Sequence, residues 1–334
     1  MLTSTASKFS GLLMTLLLVL ISFVCSLALG QFSTSPDALV LALIAYDPAS
    51  TSHLIIMTER LPRAMVAVLV GASLAVSGAL MQSLTRNALA SPGILGINAG
   101  AMLFVVISAA YFTENVPLSL IWAAFLGAAT AASMVFLLGR ERGSGSSPLR
   151  TVLAGVAVTA LCVSFAQGLL VVNQERFGSL VFWLAGSVSG RGLDSLWPLM
   201  PLFLGAALVC ALLTRQLNIL SLDDDVVRAL GQRTGLVRLT AGLVVVVLSG
   251  ASVALAGMIG FIGLIVPHIA RALFGRDHRW LLPACTLIGA ALLLIADIAA
   301  RFVIPPEEVP VGVMTALLGA PLFLYLASRK SQSL

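Results

Sequence analysis

The sequence predicts an all-α polytopic membrane protein, a single transmembrane domain (1–334) of about ten membrane-spanning helices. Three observations predict it. Hydrophobic residues make up 59% of the 334-residue chain and charged residues 10%, with a mean hydropathy of +1.05; a soluble domain carries about 25% charged residues. Between Ala64 and Met81 there is no polar face of the kind a helix on a soluble protein needs. Apolar runs of about twenty residues, enough to cross a bilayer as a helix, recur to the C-terminus.

The candidate spans are roughly 9–31, 61–84, 93–112, 117–139, 149–172, 195–214, 236–256, a short one at 258–268, 281–301 and 310–328. The first follows Lys8 and imitates a signal peptide. Its apolar run is near twenty residues, longer than the usual ~7–15 residue signal core, so it reads as a retained span. The second opens on Arg60 and Arg63 around Pro62 and ends in a polar break, Gln82 to Pro92. Ser91 is placed to cap the third span, and Pro92 suits its first turn. Gln82, Asn87 and Asn98 bring amides to a depth where irregular backbone is tolerated only if protein buries it or it lines a water-filled path. An ordinary turn is the plainer alternative.

Residues 140–150, RERGSGSSPLR, form a basic, flexible connection. The stretch SLVFWLAGSV is too short to span and reads as an interfacial or re-entrant helix with Trp183 at the boundary. Residues 215–238 make the largest loop. Ser221 followed by Asp223, Asp224 and Asp225 reads as a helix start, with carboxylates at the positive end of the dipole, and Gly231 as its stop. This short helix is either a docking knob for a partner or a plain connector, with Leu220, Val226, Val227 and Leu230 as its apolar residues. Gly257, Gly260, Gly263 and Gly275 allow close packing or a sharp re-entry, Pro267 is expected to break the chain, and His268 reads as a structural hydrogen-bonding residue. In the ninth span Asp297 precedes Arg301 by four residues, so the two share a helix face and neutralise a charge costly in lipid.

Charge placement sets an expected orientation. With the N-terminus inside and ten alternating spans, fourteen of the nineteen basic residues fall in inner loops, as the positive-inside rule asks. The outer side keeps Arg60, Arg63, Arg176, Arg191 and Arg301. The net charge of +5 is therefore topological rather than a sign of nucleic-acid binding. Cys25, Cys162, Cys210 and Cys285 sit in apolar runs without metal-ligand spacing and read as packing residues. The sequence has no phosphate-binding glycine loop, no Ser-His-Asp or His-Glu-x-x-His arrangement and no carboxylate ladder across the spans. It predicts no enzyme, no cofactor and no proton-coupled pump.

Several blocks in fixed order carry a resemblance: RLPR at 60–63, GASLAVSGALMQSLTRNALASPGILGINAGA after it, LAGVAVTA at 153–160, FWLAGS at 182–187, GFIGLIVPHIAR at 260–271, and ADIAAR followed by PVGVMTALLGAP at 296–321. From about residue 55 to 328 the chain resembles the FecCD-type permeases, membrane subunits of bacterial ABC importers for ferric siderophores, haem and cobalamin. Ala88 departs from the proline usual in that family.

The resemblance implies a type II, cobalamin-importer-like permease of the bacterial cytoplasmic membrane with both termini cytoplasmic. It implies a second permease, identical or related, a dimer of ABC ATPases, and a periplasmic or lipid-anchored substrate-binding protein. Arg60, Arg63 and Arg301 match outer arginines that receive acidic residues of the binding protein, with Asp297 in support. Leu220, Ser221, Leu222, Asp223, Asp224, Asp225, Val226, Arg228, Ala229, Leu230 and Gly231 match the coupling helix that enters the ATPase. Asn87, Leu89, Ser91 and Pro92 match the inner gate. The expected cargo is a ferric siderophore, with haem or cobalamin as alternatives. An ion-gradient-driven secondary transporter and a non-transporting membrane scaffold are the readings from other classes.

Overall fold

The computed structural model describes the chain except residues 1, 3, 33, 112–116, 142–144, 147, 173–182, 223–225, 228–230 and 332–334. Its helices are α1 (Thr5–Ala28), α2 (Pro36–Ile44), α3 (Thr51–Leu54), α4 (Leu61–Thr85), α5 (Ile97–Tyr111), α6 (Pro117–Leu138) and α7 (Pro148–Val172). Then follow α8 (Leu193–Leu196), α9 (Met200–Leu212), α10 (Thr214–Leu220), α11 (Thr234–Ala256), α12 (Ile262–Phe274), α13 (His278–Ala300) and α14 (Val311–Ser331). A two-residue ladder, Arg140–Glu141 with Gly145–Ser146, interrupts the basic loop after α6.

Among the described residues seven helices are long and apolar enough to cross a membrane. Shorter apolar helices, Ile97–Tyr111, Ile262–Phe274 and Val311–Pro321, stand where three further spans were expected. The second span is longer than its apolar run: α3 and a π-helical turn, Ile55–Arg60, join α4 into one 35-residue rod.

The core is built around α4, most of whose length is buried. Alanine, valine and leucine dominate it, and its proline lies in the first turn, where a missing N–H costs nothing. Two glycines let its backbone meet its neighbours. A Cβ on Gly71 would overlap the Gly289 carbonyl of α13, and one on Gly78 would overlap the Gly263 carbonyl of α12. With no hydrophobic force between helices in lipid, such close backbone contact is what holds them. Large apolar side chains on α1, α6, α7 and α9, among them Met14, Leu137, Val172 and Leu212, point outward as a lipid-facing surface requires.

The structure corrects several local expectations. Ser91 does not cap the third span. It precedes a 3-10 turn, Pro92–Leu95, without a side-chain capping bond, and Gly96 in left-handed conformation (φ +69°) separates that turn from α5. Pro267 does not break the chain, since α12 runs through it. A proline there leaves the carbonyl four residues back without its helical donor, and Gln82 Nε2 donates to that carbonyl, Gly263 O, at 3.4 Å. The irregular stretch comes earlier, between α11 and α12. Gly257 (φ +71°) ends α11, and Phe261 takes φ +65°, costly for a residue with a Cβ.

Ser221 ends α10, its hydroxyl donating to Leu217 O at 2.9 Å; the helix start expected at Asp223–Asp225 lies outside the described residues. Gly231 has the positive φ, +67°, expected of a stop. Trp183 is buried in the core rather than at a lipid boundary.

Candidate functional site

The bundle has two polar ends, and Arg60, Arg63, Arg191 and Arg301, four of the five arginines against the expected charge gradient, lie at one of them; Arg176 lies outside the described residues. The C-terminus of α1 explains where they point. A helix leaves its last four carbonyls without partners, and the last turn of α1 has no basic residue of its own. Leu29 N bonds Cys25 O at 2.8 Å. Arg301 Nη1 donates to Ser26 O at 2.8 Å, and Arg60 Nη1 donates to Leu27 O at 2.8 Å and Ala28 O at 2.9 Å. All four carbonyls are thus satisfied, three of them by cations placed at the negative end of the dipole. Arg60 also reaches Phe32 O and Thr34 Oγ1, and Arg301 reaches Leu29 O.

Asp297, fully buried, closes this cluster. It accepts from Arg301 at 2.5 Å, the i,i+4 pair expected from the sequence, and also from Arg63, whose Nη2 lies 2.8 Å away. Arg63 Nη1 extends to Glu308 Oε2 at 2.7 Å. Arg60 and Arg301 are therefore buried anchors whose donors point into their own chain, rather than guanidiniums standing free at a mouth. Arg63 alone of the three lines a cavity, of about 640 Å³, with Ser187, Ser189, Arg191, Glu307 and Glu308.

Beside that cavity, Ser187 N donates to Ala256 O at 2.8 Å and Gly312 N to Gly186 O at 3.0 Å, which knits together the segment after Trp183, the end of α11 and the start of α14. Gly257 and Gly312 permit it, since a Cβ on either would overlap the carbonyl of Trp183 or Ala185. Arg191 has a buried Nε with no hydrogen-bond partner among the described residues, and burial lowers the pKa of its guanidinium. Sequence reasoning passed over Arg191 although it was one of the five charge outliers.

The other end carries the polar break after α4. Arg86 turns the chain in left-handed conformation (φ +51°), and Asn87 Oδ1 accepts from Leu89 N at 3.0 Å, forming an Asx turn. Arg86 Nη2 donates to Leu222 O at 2.9 Å and to Leu220 O at 3.3 Å. The turn that holds Asn87, Leu89, Ser91 and Pro92 is thereby tied to the end of α10. A second tie runs alongside. Asn218 on α10 bonds His278 through Nδ1 at 2.8 Å, and His278 Nε2 meets Ser83 Oγ on α4 at 2.7 Å.

Asn218 Nδ2 also donates to Asp277 Oδ1 at 2.7 Å. Burial alone would raise the Asp277 carboxyl. The Arg279 amide, the Asn218 amide and the charges of Arg279 and Lys8 outweigh it and hold the carboxyl below its ordinary value. On the α12 side Arg271 bonds Gln82 Oε1. Asn218, His278, Ser83 and Arg86 were not singled out from the sequence, because their spacing along the chain carries no pattern. Within the expected coupling segment, Leu220 and Val227 are buried and Leu222 and Val226 exposed; Asp223, Asp224, Asp225, Arg228, Ala229 and Leu230 lie outside the described residues.

The FecCD transport family profile matches residues 17–329. The chain belongs to that family. A probable siderophore transport system permease of Bacillus subtilis, YfiZ, is 46% identical over 98% of this chain and 99% of its own length. The ferric enterobactin permease FepD of Escherichia coli is 42% identical, covering 95% of this chain and 94% of itself. A solved inward-facing structure, assigned as a metal-chelate type ABC transporter, superposes with a TM-score of 0.84 at 31% identity, over 96% of this chain and 99% of that one. This FecCD member is accordingly a multi-pass ABC importer permease and not an enzyme.

Proposed function

We propose that the chain forms the translocation path for an iron(III)-siderophore complex, with the Arg60 end facing outward and the Arg86 end facing the cytoplasm. The observation that carries the cargo is the near end-to-end likeness to the siderophore permease of Bacillus subtilis. The charge count along the loops supports the orientation. The Leu2 amide bonds Leu273 O, so the N-terminus lies at the Arg86 end.

A substrate-binding protein then docks over the outer cavity. Arg191, Arg63 and Glu308 are the residues with faces toward it. Arg60, Asp297 and Arg301 serve docking by keeping the rim rigid. Complementary charge at such a rim sets approach rate and register more than affinity.

At the inner end a dimer of ATPases moves segment 219–231. The ties Arg86–Leu222 and Asn218–His278–Ser83 carry that movement to the turn around Asn87, Leu89, Ser91 and Pro92, which opens or closes the path. A second permease completes the path across the dimer axis. Hydrolysis supplies the work, and this chain supplies walls without a tight site.

The test is uptake of radiolabelled ferric hydroxamates, ferric catecholates and haem in a host stripped of its own permeases. Arg191→Glu should reduce capture of the loaded binding protein and slow uptake, while leaving the ATPase bound. Uptake of haem in preference to every siderophore would overturn the cargo, a result that the 42% identical hemin permease of Yersinia pestis makes worth testing. Transport in sealed vesicles without ATPase would overturn the mechanism.

A further inference from the structure

A cleft of about 940 Å³ opens between α4, α9, α11 and α13, away from the cavity at the Arg60 end. Its walls are apolar, with Leu69, Leu204, Leu248 and Leu287 from four different helices. One end alone is polar, where Arg215 and Arg279 line it. Both arginines are exposed, and among the described residues neither guanidinium makes an ion pair. Asn218, about one turn after Arg215 on α10, bonds both Asp277 and His278 at the start of α13, which ties the two helices that carry these arginines beside the same end of the cleft.

We infer that this cleft is a binding site for an anionic membrane phospholipid. Length decides the occupant. The α13 wall runs from Arg279 to Leu287, and at 1.5 Å per residue the cleft is about 12–14 Å deep. One leaflet of a bilayer with a hydrocarbon core of about 30 Å has a similar depth. An acyl chain standing in that leaflet fills the apolar part, and its headgroup phosphate arrives between Arg215 and Arg279. Basic pockets between helices at a membrane surface select anionic headgroups for this reason. A peptide would leave backbone amides unpaired against leucine walls.

The site touches the ties described above. His278 lines the cleft and also bonds Asn218 and Ser83, so a lipid here stiffens the joint between α10 and α13.

The full-length protein is purified in mild detergent, exchanged into nanodiscs of phosphatidylcholine with a minor fraction of phosphatidylglycerol, and analysed for retained lipid by native mass spectrometry. Wild type should retain phosphatidylglycerol above its share in the disc. Arg215→Gln with Arg279→Gln should lower that retention about twenty-fivefold, since each basic residue near an anionic surface contributes a factor of about five. Ala211→Trp, which fills the cleft and leaves the charges, should lower it as well. Circular dichroism and monodispersity confirm folding of each variant. Equal retention of phosphatidylglycerol by wild type and both variants overturns the assignment. So does crosslinking of Cys210 to a protein segment in place of lipid.

Discussion

The two ends of the bundle are built from different chemistry. At the Arg60 end, charges meet charges inside the protein: Asp297 lies between Arg63 and Arg301, and Glu308 continues the series. At the Arg86 end the ties are hydrogen bonds from an arginine, an asparagine and a histidine to backbone carbonyls, neutral side chains and the single carboxylate of Asp277, with no guanidinium–carboxylate pair among the cited ties. A buried carboxylate with two guanidiniums has one arrangement that satisfies it. Arg86, whose bonds to Leu220 O and Leu222 O lie partly or wholly at the surface, can exchange one carbonyl for the next at little cost. Arg60 and Arg301 instead hold the carbonyls of α1 in the buried interior. The contrast assigns rigidity to the first end and movement to the second.

The largest effect should come from breaking the rigid end. Asp297→Ala leaves two buried guanidiniums without their carboxylate and should cost about 3–5 kcal/mol, read as thermal unfolding of the purified protein. A milder loss would mean that water or lipid headgroups reach the cluster, and would remove the contrast.

Asn218→Ala comes next. It should cost about 1–3 kcal/mol, the range when part-buried partners, here His278 and the Asp277 carboxylate, are left without a bond, yet uptake should fall far more than folded protein does. Proportional losses would make the network structural only.

Glu308→Gln should change stability by at most about 1 kcal/mol, because its side chain is 30% exposed. Its effect belongs to the on-rate of the binding protein and should fade as salt rises. A salt-independent effect would place Glu308 among the anchors.

The smallest effect concerns Asp277. Its carboxyl is held below the ordinary value, so the stability it adds is present above the unfolded pKa of about 3.9 and is lost only as pH falls through the lower folded value. Wild type should therefore be more stable to heat than Asp277→Asn by a constant margin between neutral pH and about pH 5, and that margin should shrink only in stronger acid. A margin that already shrinks near about pH 6 would contradict the direction of this shift.

Much of the fold was legible because lipid imposes a simple rule: every span must be apolar along its length, and charge must lie at its ends. That rule marked the spans, the odd arginines and the Asp297–Arg301 pair. It misjudged a cap and a break, at Ser91 and Pro267, where a residue's usual role was overridden by its neighbours. Pro267 stays helical because Gln82, far away in sequence, donates to the carbonyl that the proline leaves open.

By itself, then, the sequence determined the class of protein, its likeness to a transport family and the residues that break the charge gradient, since these depend on composition and local order. Only the tertiary structure decided what those residues do. Whether an arginine faces outward or satisfies the end of another helix depends on which carbonyls the fold leaves unpaired, and that count exists only once α1, α4 and α13 have packed together.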